Sequence, residues 1–194
     1  IGYSDLTPLL NAIYQKTGLI SLHGPMAVKI LDETSICYLK NAISGVDYSI
    51  PFTNFIHKNK KLISGIIQGG NLAMCSWSIE SNFEIDLVDK IVFFEDIGTN
   101  DQIAYNRIIQ LIRSNSFKPK AILFGYMDTV KNIERFVHEV SLLMPNIPII
   151  YNLPIGHQLP NLTIPIGSDC LINFEKKEIS FKFGDKIDSY KVVL

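Results

Sequence analysis

Little in this sequence offers a metal or a disulfide framework. The three cysteines, Cys37, Cys75 and Cys170, are odd in number and stand at wide, unrelated spacings, so they read as three small buried hydrophobes. The four histidines, His23, His57, His138 and His157, show no HxH or HExxH spacing that would set two imidazoles on one ion, and no metal or other cofactor is expected. Charge of one sign is lacking as well. With 18 basic residues against 19 acidic ones the formal net charge is -1, which supplies no electrostatic footprint for nucleic acid or an anionic membrane surface. The expected partner is therefore a small molecule. No apolar run approaches the roughly 20 residues that cross a bilayer. The opening IGYSDLTPLL has neither the basic head nor the small-residue cleavage site of a signal peptide, so the expected location is cytoplasmic. Internal repeats and low-complexity segments are also missing.

What is present is a chain able to fold. At 194 residues and 47% hydrophobic, it can bury the core of one large or two small domains. Residue 1 is Ile, and Ile1-Gly2-Tyr3 reads as the end of a strand, which implies a preceding segment. Asp5 or Thr7 can cap the helix that follows, Pro8 suits its first turn, and Leu9, Leu10, Ile13 and Tyr14 form its apolar stripe before Thr17-Gly18 ends it. A short strand over 19–23 completes a strand, helix, strand unit closed by Gly24-Pro25. A helix is predicted over 28–41. A polar, Pro-containing passage over 44–61 follows, and its basic run His57 to Lys61 reads as a solvated turn or linker. The domain boundary falls there, giving 1–57 and 58–194.

Beyond the boundary the pattern alternates. Strands are predicted over 62–68, 90–94, 121–124 and 147–151. Gly69-Gly70-Asn71 is read as a turn, 72–79 as a short helix or buried stretch, and helices are expected over 102–114 and 130–143. Short strands over 169–174, 178–183 and 189–193 suggest a small antiparallel sheet at the end. The fold class is α/β: the closing part of a doubly wound domain, then a smaller mixed α/β domain.

Two local features carry chemistry. Ile91-Val92-Phe93-Phe94 suits burial on both faces and ends on Glu95 and Asp96, placing carboxylates where open α/β sheets put their sites. The alternative is that one acid caps the helix near Asp101 or pairs with Arg107. Leu153-Pro154-Ile155-Gly156-His157 follows a buried strand, and Pro160, Pro165 and Gly167 keep the next stretch irregular. A histidine in a stiff loop is a general-base candidate, or a loop imidazole without a role.

Five segments decide between these readings. IGYSDLTPLLNAI, KTGLISLHGP, GGNL, IVFFEDI and GHQLPNLTIPIG occur in the order and rough spacing of the LD-carboxypeptidase family, which includes the microcin C immunity peptidases, and the resemblance extends over essentially the whole chain. It implies a cytoplasmic bacterial serine peptidase and a homodimer, with a glutamine-amidotransferase-like N-terminal domain and a smaller C-terminal one. The family triad is Ser, Glu, His in chain order. Glu95 and His157 match its acid and base, while its serine, in a Gly-rich stretch upstream of GYSD, has no match in these residues. The chain departs from the family at Glu80-Ser81, where the pattern tends to have Gly-Thr.

Other candidates carry less. Ser4 lies between strand and helix like a nucleophile elbow, yet GYSD lacks the second glycine of GxSxG. His23 is expected as an imidazole bonded within the core, the paired glycines as backbone devices, and Trp77 as core. The expected substrate is a small peptide: a murein tetrapeptide that loses its terminal D-amino acid, or, alternatively, a peptide-nucleotide antibiotic. A reading from another class is a non-catalytic binding or dimerisation module.

Overall fold

The computed structural model describes residues 1–26, 31–56, 61–98, 100–128 and 130–184. After a 3-10 turn (Ser4–Leu6), the elements in chain order begin with α1 (Thr7–Thr17), β1 (Ser21–His23), α2 (Glu33–Ile43), β2 (Tyr48–Pro51) and β3 (Asn54–Ile56). They continue through β4 (Leu62–Asn71), α3 (Leu72–Trp77), β5 (Leu87–Val88), β6 (Ile91–Asp96) and α4 (Asp101–Arg113). The remaining elements are β7 (Phe117–Lys118), β8 (Ala121–Met127), α5 (Ile133–Leu143), β9 (Ile149–Tyr151), β10 (Ile164–Ile166), β11 (Asp169–Asn173) and β12 (Glu178–Lys182).

The β4, β6, β8 and β9 strands pair in parallel, with α3, α4 and α5 as the crossovers that parallel pairing requires. These four form the middle of an eight-stranded sheet in the order β2-β12-β11-β4-β6-β8-β9-β3. The tail strands pair antiparallel as expected. They do not stand apart, because β11 also pairs with β4 and so continues the main sheet. Within the passage read as linker, β2 pairs with β12 and β3 with β9, so the sheet takes strands from both sides of residue 57. Their shortness within a polar passage hid them, and at the sheet margins Ile50 is their one buried residue. Residues 57–60 and the strand predicted over 189–193 lie outside the described residues.

Strand alternation divides the core. Val92, Phe94, Ile122, Phe124 and Ile149 face the apolar stripes of α3, α4 and α5, whereas Ile91, Phe93, Leu123 and Ile150 face the opposite layer with Leu10, Leu153, Ile155, Ile164 and Ile166. Side-chain caps start four of the helices: Asp32, Asn71, Asn100 and Asn132 each accept from the backbone N–H three residues on.

The expected strand, helix, strand unit is present: Gly2 bridges His23 in parallel across α1, and β1 then pairs antiparallel with β10. Neither Asp5 nor Thr7 caps α1, whose N-cap is Leu6 without a side-chain bond. Thr7 Oγ1 instead accepts from Asn71 N at 3.0 Å, and Asn11 bonds both N and O of Gly69, so α1 is docked on β4 through polar groups. The paired glycines lie within β4 rather than in a turn, and the close approach of β6 on one of them and of α1 on the other explains them. A Cβ at Gly69 would overlap the Phe93 carbonyl, and one at Gly70 would meet the Thr7 side chain at 2.6 Å.

Candidate active site

Period-two alternation assigns the two acids at the end of β6 to opposite faces. Glu95 continues the Phe93 side and Asp96 the Phe94 side, so both local readings of this pair are realised, one by each residue. Asp96 Oδ2 meets Arg107 at 2.6 Å, and its Oδ1 accepts from Asn71 Nδ2 and Ile97 N. That carboxylate joins the end of β6 to α4 and to the cap of α3. Glu95 is fully buried, and its Oε2 lies 2.6 Å from His157 Nδ1.

His157 reaches Glu95 from a loop 62 residues later in the chain. The loop is held at several points. Leu153 N donates to Phe124 O and Tyr126 N donates to Ile155 O, binding it to the end of β8. Gly156 N donates to Asn161 Oδ1 at 3.0 Å, and Asn161 N donates to Ser35 Oγ in α2. Gly156 itself has φ +118, and a Cβ there would sit 2.7 Å from Glu95 Oε2. Only glycine allows this backbone conformation and lets the loop close over the carboxylate. Tyr3 then packs edge-on against the imidazole, with ring centroids 4.8 Å apart.

Such a pair has defined chemistry. A carboxylate accepting from Nδ1–H fixes one tautomer, leaving Nε2 bare to take a proton from a nucleophile, and the carboxylate then stabilises the imidazolium that forms. The His157 side chain retains 12% exposure, while Glu95 retains none. Among the described residues no group of three or more His, Cys, Asp or Glu could hold a metal ion. No helix there is long and apolar enough to cross a membrane.

Residues 64–172, which include both Glu95 and His157, match the family model for the LD-carboxypeptidase C-terminal domain. The chain belongs to the LD-carboxypeptidase family. A Bacillus subtilis protein named as a probable murein peptide carboxypeptidase is 27% identical to it, over 94% of this chain and 62% of its own length. The microcin C7 self-immunity protein MccF of Escherichia coli is 30% identical, over 93% of this chain and 64% of its own. The crystal structure of a muramoyltetrapeptide carboxypeptidase from Oxalobacter formigenes shares the fold, with a TM-score of 0.80 at 24% identity over 93% of this chain and 66% of that one. This LD-carboxypeptidase chain thus spans less than two thirds of the length of the curated relatives it matches.

Several other expectations can be placed on the LD-carboxypeptidase structure. Ser4 has φ +60 and begins the 3-10 turn, directly after the tyrosine that packs on His157, but its hydroxyl makes no hydrogen bond to that histidine. Trp77 is not core. It is the last residue of a six-residue helix whose buried positions are Leu72, Ala73, Cys75 and Ser76, so the indole is 66% exposed with the Arg107 guanidinium 5.8 Å over its ring. Cys75 and Cys170 are buried as expected, and burial pushes both thiols up, which removes them as nucleophiles. Cys37, by contrast, is exposed. His23 is fully buried but not bonded: neither ring nitrogen has a partner among the described residues. Sequence reasoning missed Asn161, Asn11 and Tyr3, although all three lie inside the segments that carry the family resemblance.

Proposed function

We propose that this chain is the acid-and-histidine portion of a serine carboxypeptidase of LD-carboxypeptidase type, which releases the terminal D-amino acid from a murein tetrapeptide. The observation that carries the reading is the 2.6 Å contact between fully buried Glu95 and partly exposed His157 in a family member. In this mechanism His157 Nε2 takes the proton of a serine hydroxyl as that oxygen attacks the scissile carbonyl, and later returns it to the departing amine. Glu95 holds Nδ1–H throughout. The serine, and with it the backbone N–H groups of an oxyanion hole, are assigned to a segment outside these 194 residues. Among the described residues His157 has its one hydrogen bond to Glu95 and none to a serine, which supports that assignment. A cytoplasmic setting and a homodimer belong to the same reading.

The 30% identity to the microcin C7 self-immunity protein favours a second substrate class, an amide in a peptide-nucleotide antibiotic. Assays of the 194-residue chain and of a polypeptide carrying the upstream segment, on both substrates, separate the possibilities. Activity of the longer protein on murein tetrapeptide supports the first reading, and activity on the antibiotic alone removes it. Turnover by the shorter chain would place the nucleophile inside it, with Ser4→Ala as the next variant. Inactivity of both proteins on both substrates would favour a non-catalytic binding or dimerisation module.

A further inference from the structure

Behind the Glu95–His157 pair lies a donor with nothing to bond and an acceptor in the same position. His23 is fully enclosed, and neither Nδ1 nor Nε2 has a partner among the described residues. A neutral imidazole always carries one N–H, so this ring has a proton to place. Burial lowers its pKa to about 4, opposed by the Glu95 charge and assisted by His157, so the ring is neutral at pH 7. Glu95 Oε1 is likewise buried and unmatched among the described residues, while Oε2 is engaged by His157. Leaving a carboxylate oxygen dry and unpaired is among the costlier defects a site can carry.

The fold brings these groups to one place. The His23 ring packs edge-on against Phe93, with centroids 5.0 Å apart, and Phe93 precedes Glu95 by two on the same face of β6. Tyr3 packs against both histidines, at 6.4 Å from His23 and 4.8 Å from His157. Thr163, just before the β10 strand that pairs with β1, contributes another buried polar atom without a partner among the described residues, Oγ1. A bound water in a buried site needs two to four polar partners, and these groups supply a donor, an acceptor and a hydroxyl that is either.

We propose that His23 is a positioning residue for the triad acid, its ring N–H holding Glu95 Oε1 through an enclosed water so that Oε2 stays aimed at His157 Nδ1–H. The inference rests on the triad reading above. His23 touches neither substrate nor the reacting atoms; it acts through Glu95.

Proton and nitrogen NMR of the histidine side chains in the 194-residue chain tests this without activity. In the wild type, His157 Nδ1–H should give a downfield resonance. His23 should be a single neutral tautomer with a slowly exchanging N–H and a cross-peak to bound water. His23→Phe keeps an aromatic ring but removes the N–H, and should shift the His157 resonance and speed its solvent exchange about ten-fold or more, the equivalent of one lost hydrogen bond. His23→Gln keeps an N–H donor and should hold the resonance near its wild-type position. A purely packing role predicts the reverse order, with Phe tolerated and Gln disruptive, and that result overturns the proposal. A wild-type His23 lacking a protected N–H overturns it too, even if His23→Phe fails to fold. Absence of the His157 Nδ1–H resonance from the wild type would instead refute the triad reading and this inference with it.

Discussion

Replacing Gly156 by alanine is the most direct test of how the histidine loop closes on Glu95. The added Cβ would lie 2.7 Å from Glu95 Oε2, 2.9 Å from Glu95 Cβ and 3.0 Å from Glu95 Cγ, on a backbone whose φ of +118 lies outside the regions alanine occupies readily. The two penalties are separate. Holding a non-glycine residue in such a conformation costs about 1–3 kcal/mol, and overpacking a filled site costs about 1–3 kcal/mol more. The sum, about 2–6 kcal/mol, corresponds to a fall in Tm of roughly 5–15 °C for a chain of this size. The clash also falls on the oxygen that accepts from His157, so the His157 Nδ1–H resonance should be lost along with the stability. Gly18→Ala is the control, because Gly18 has φ +73 and a Cβ there would meet nothing within 4 Å, so only backbone strain of about 1 kcal/mol applies. Urea denaturation and side-chain NMR of both variants decide the matter. A Gly156→Ala protein as stable as Gly18→Ala, with the His157 resonance intact, would refute this account of loop closure.

Three further predictions rest on the same geometry. Glu95→Gln should leave the fold in place but lower kcat by about 10³–10⁴-fold in the protein that carries the nucleophile, because an amide no longer enforces the Nδ1–H tautomer; steady-state kinetics on the substrate that is turned over checks it. Arg107→Met removes the partner 2.6 Å from buried Asp96 and should destabilise by about 3 kcal/mol, the lower end of the usual range because Asn71 and Ile97 still donate to that carboxylate; chemical denaturation reads the loss. For His23, the folded pKa of about 4 lies below the ordinary value of 6.5, so between these pH values the unfolded chain binds a proton that the folded chain refuses. Stability should therefore be greatest above pH 6.5 and fall by roughly 3 kcal/mol as the pH drops to about 4, and His23→Phe should flatten that part of the denaturation profile relative to wild type.

Much of this protein is legible in its sequence because the signals are local. The run Ile91 to Phe94 is apolar at every position, as a strand buried on both faces must be, and β6 is found there. Gly18 ends α1 where the sequence placed its stop, since backbone chemistry at helix ends depends on a few neighbouring residues. Glu95 and His157 could each be named as candidates from strand-end and loop context, and their joint significance came from ordered resemblance across five segments. Strands β2 and β3 were illegible for the opposite reason: only four and three residues long and at the sheet margins, they are strands because β12 and β9 lie beside them.

What the tertiary structure alone decided is which groups meet. Local context left both acids at the end of β6 open to either role and only the family resemblance pointed to Glu95; it is the position of the loop after β9 that sets Glu95 against His157 and leaves Asp96 to Arg107. The exposure of Trp77 and the solitary burial of His23 are likewise set by what packs against α3 and β1, and neither the helix nor the strand records its neighbours. Sequence by itself determines where the chain must be buried, capped or turned, because those preferences act over a few residues. Contacts across 62 positions depend on how the whole sheet is assembled, and that is a property of the packed chain.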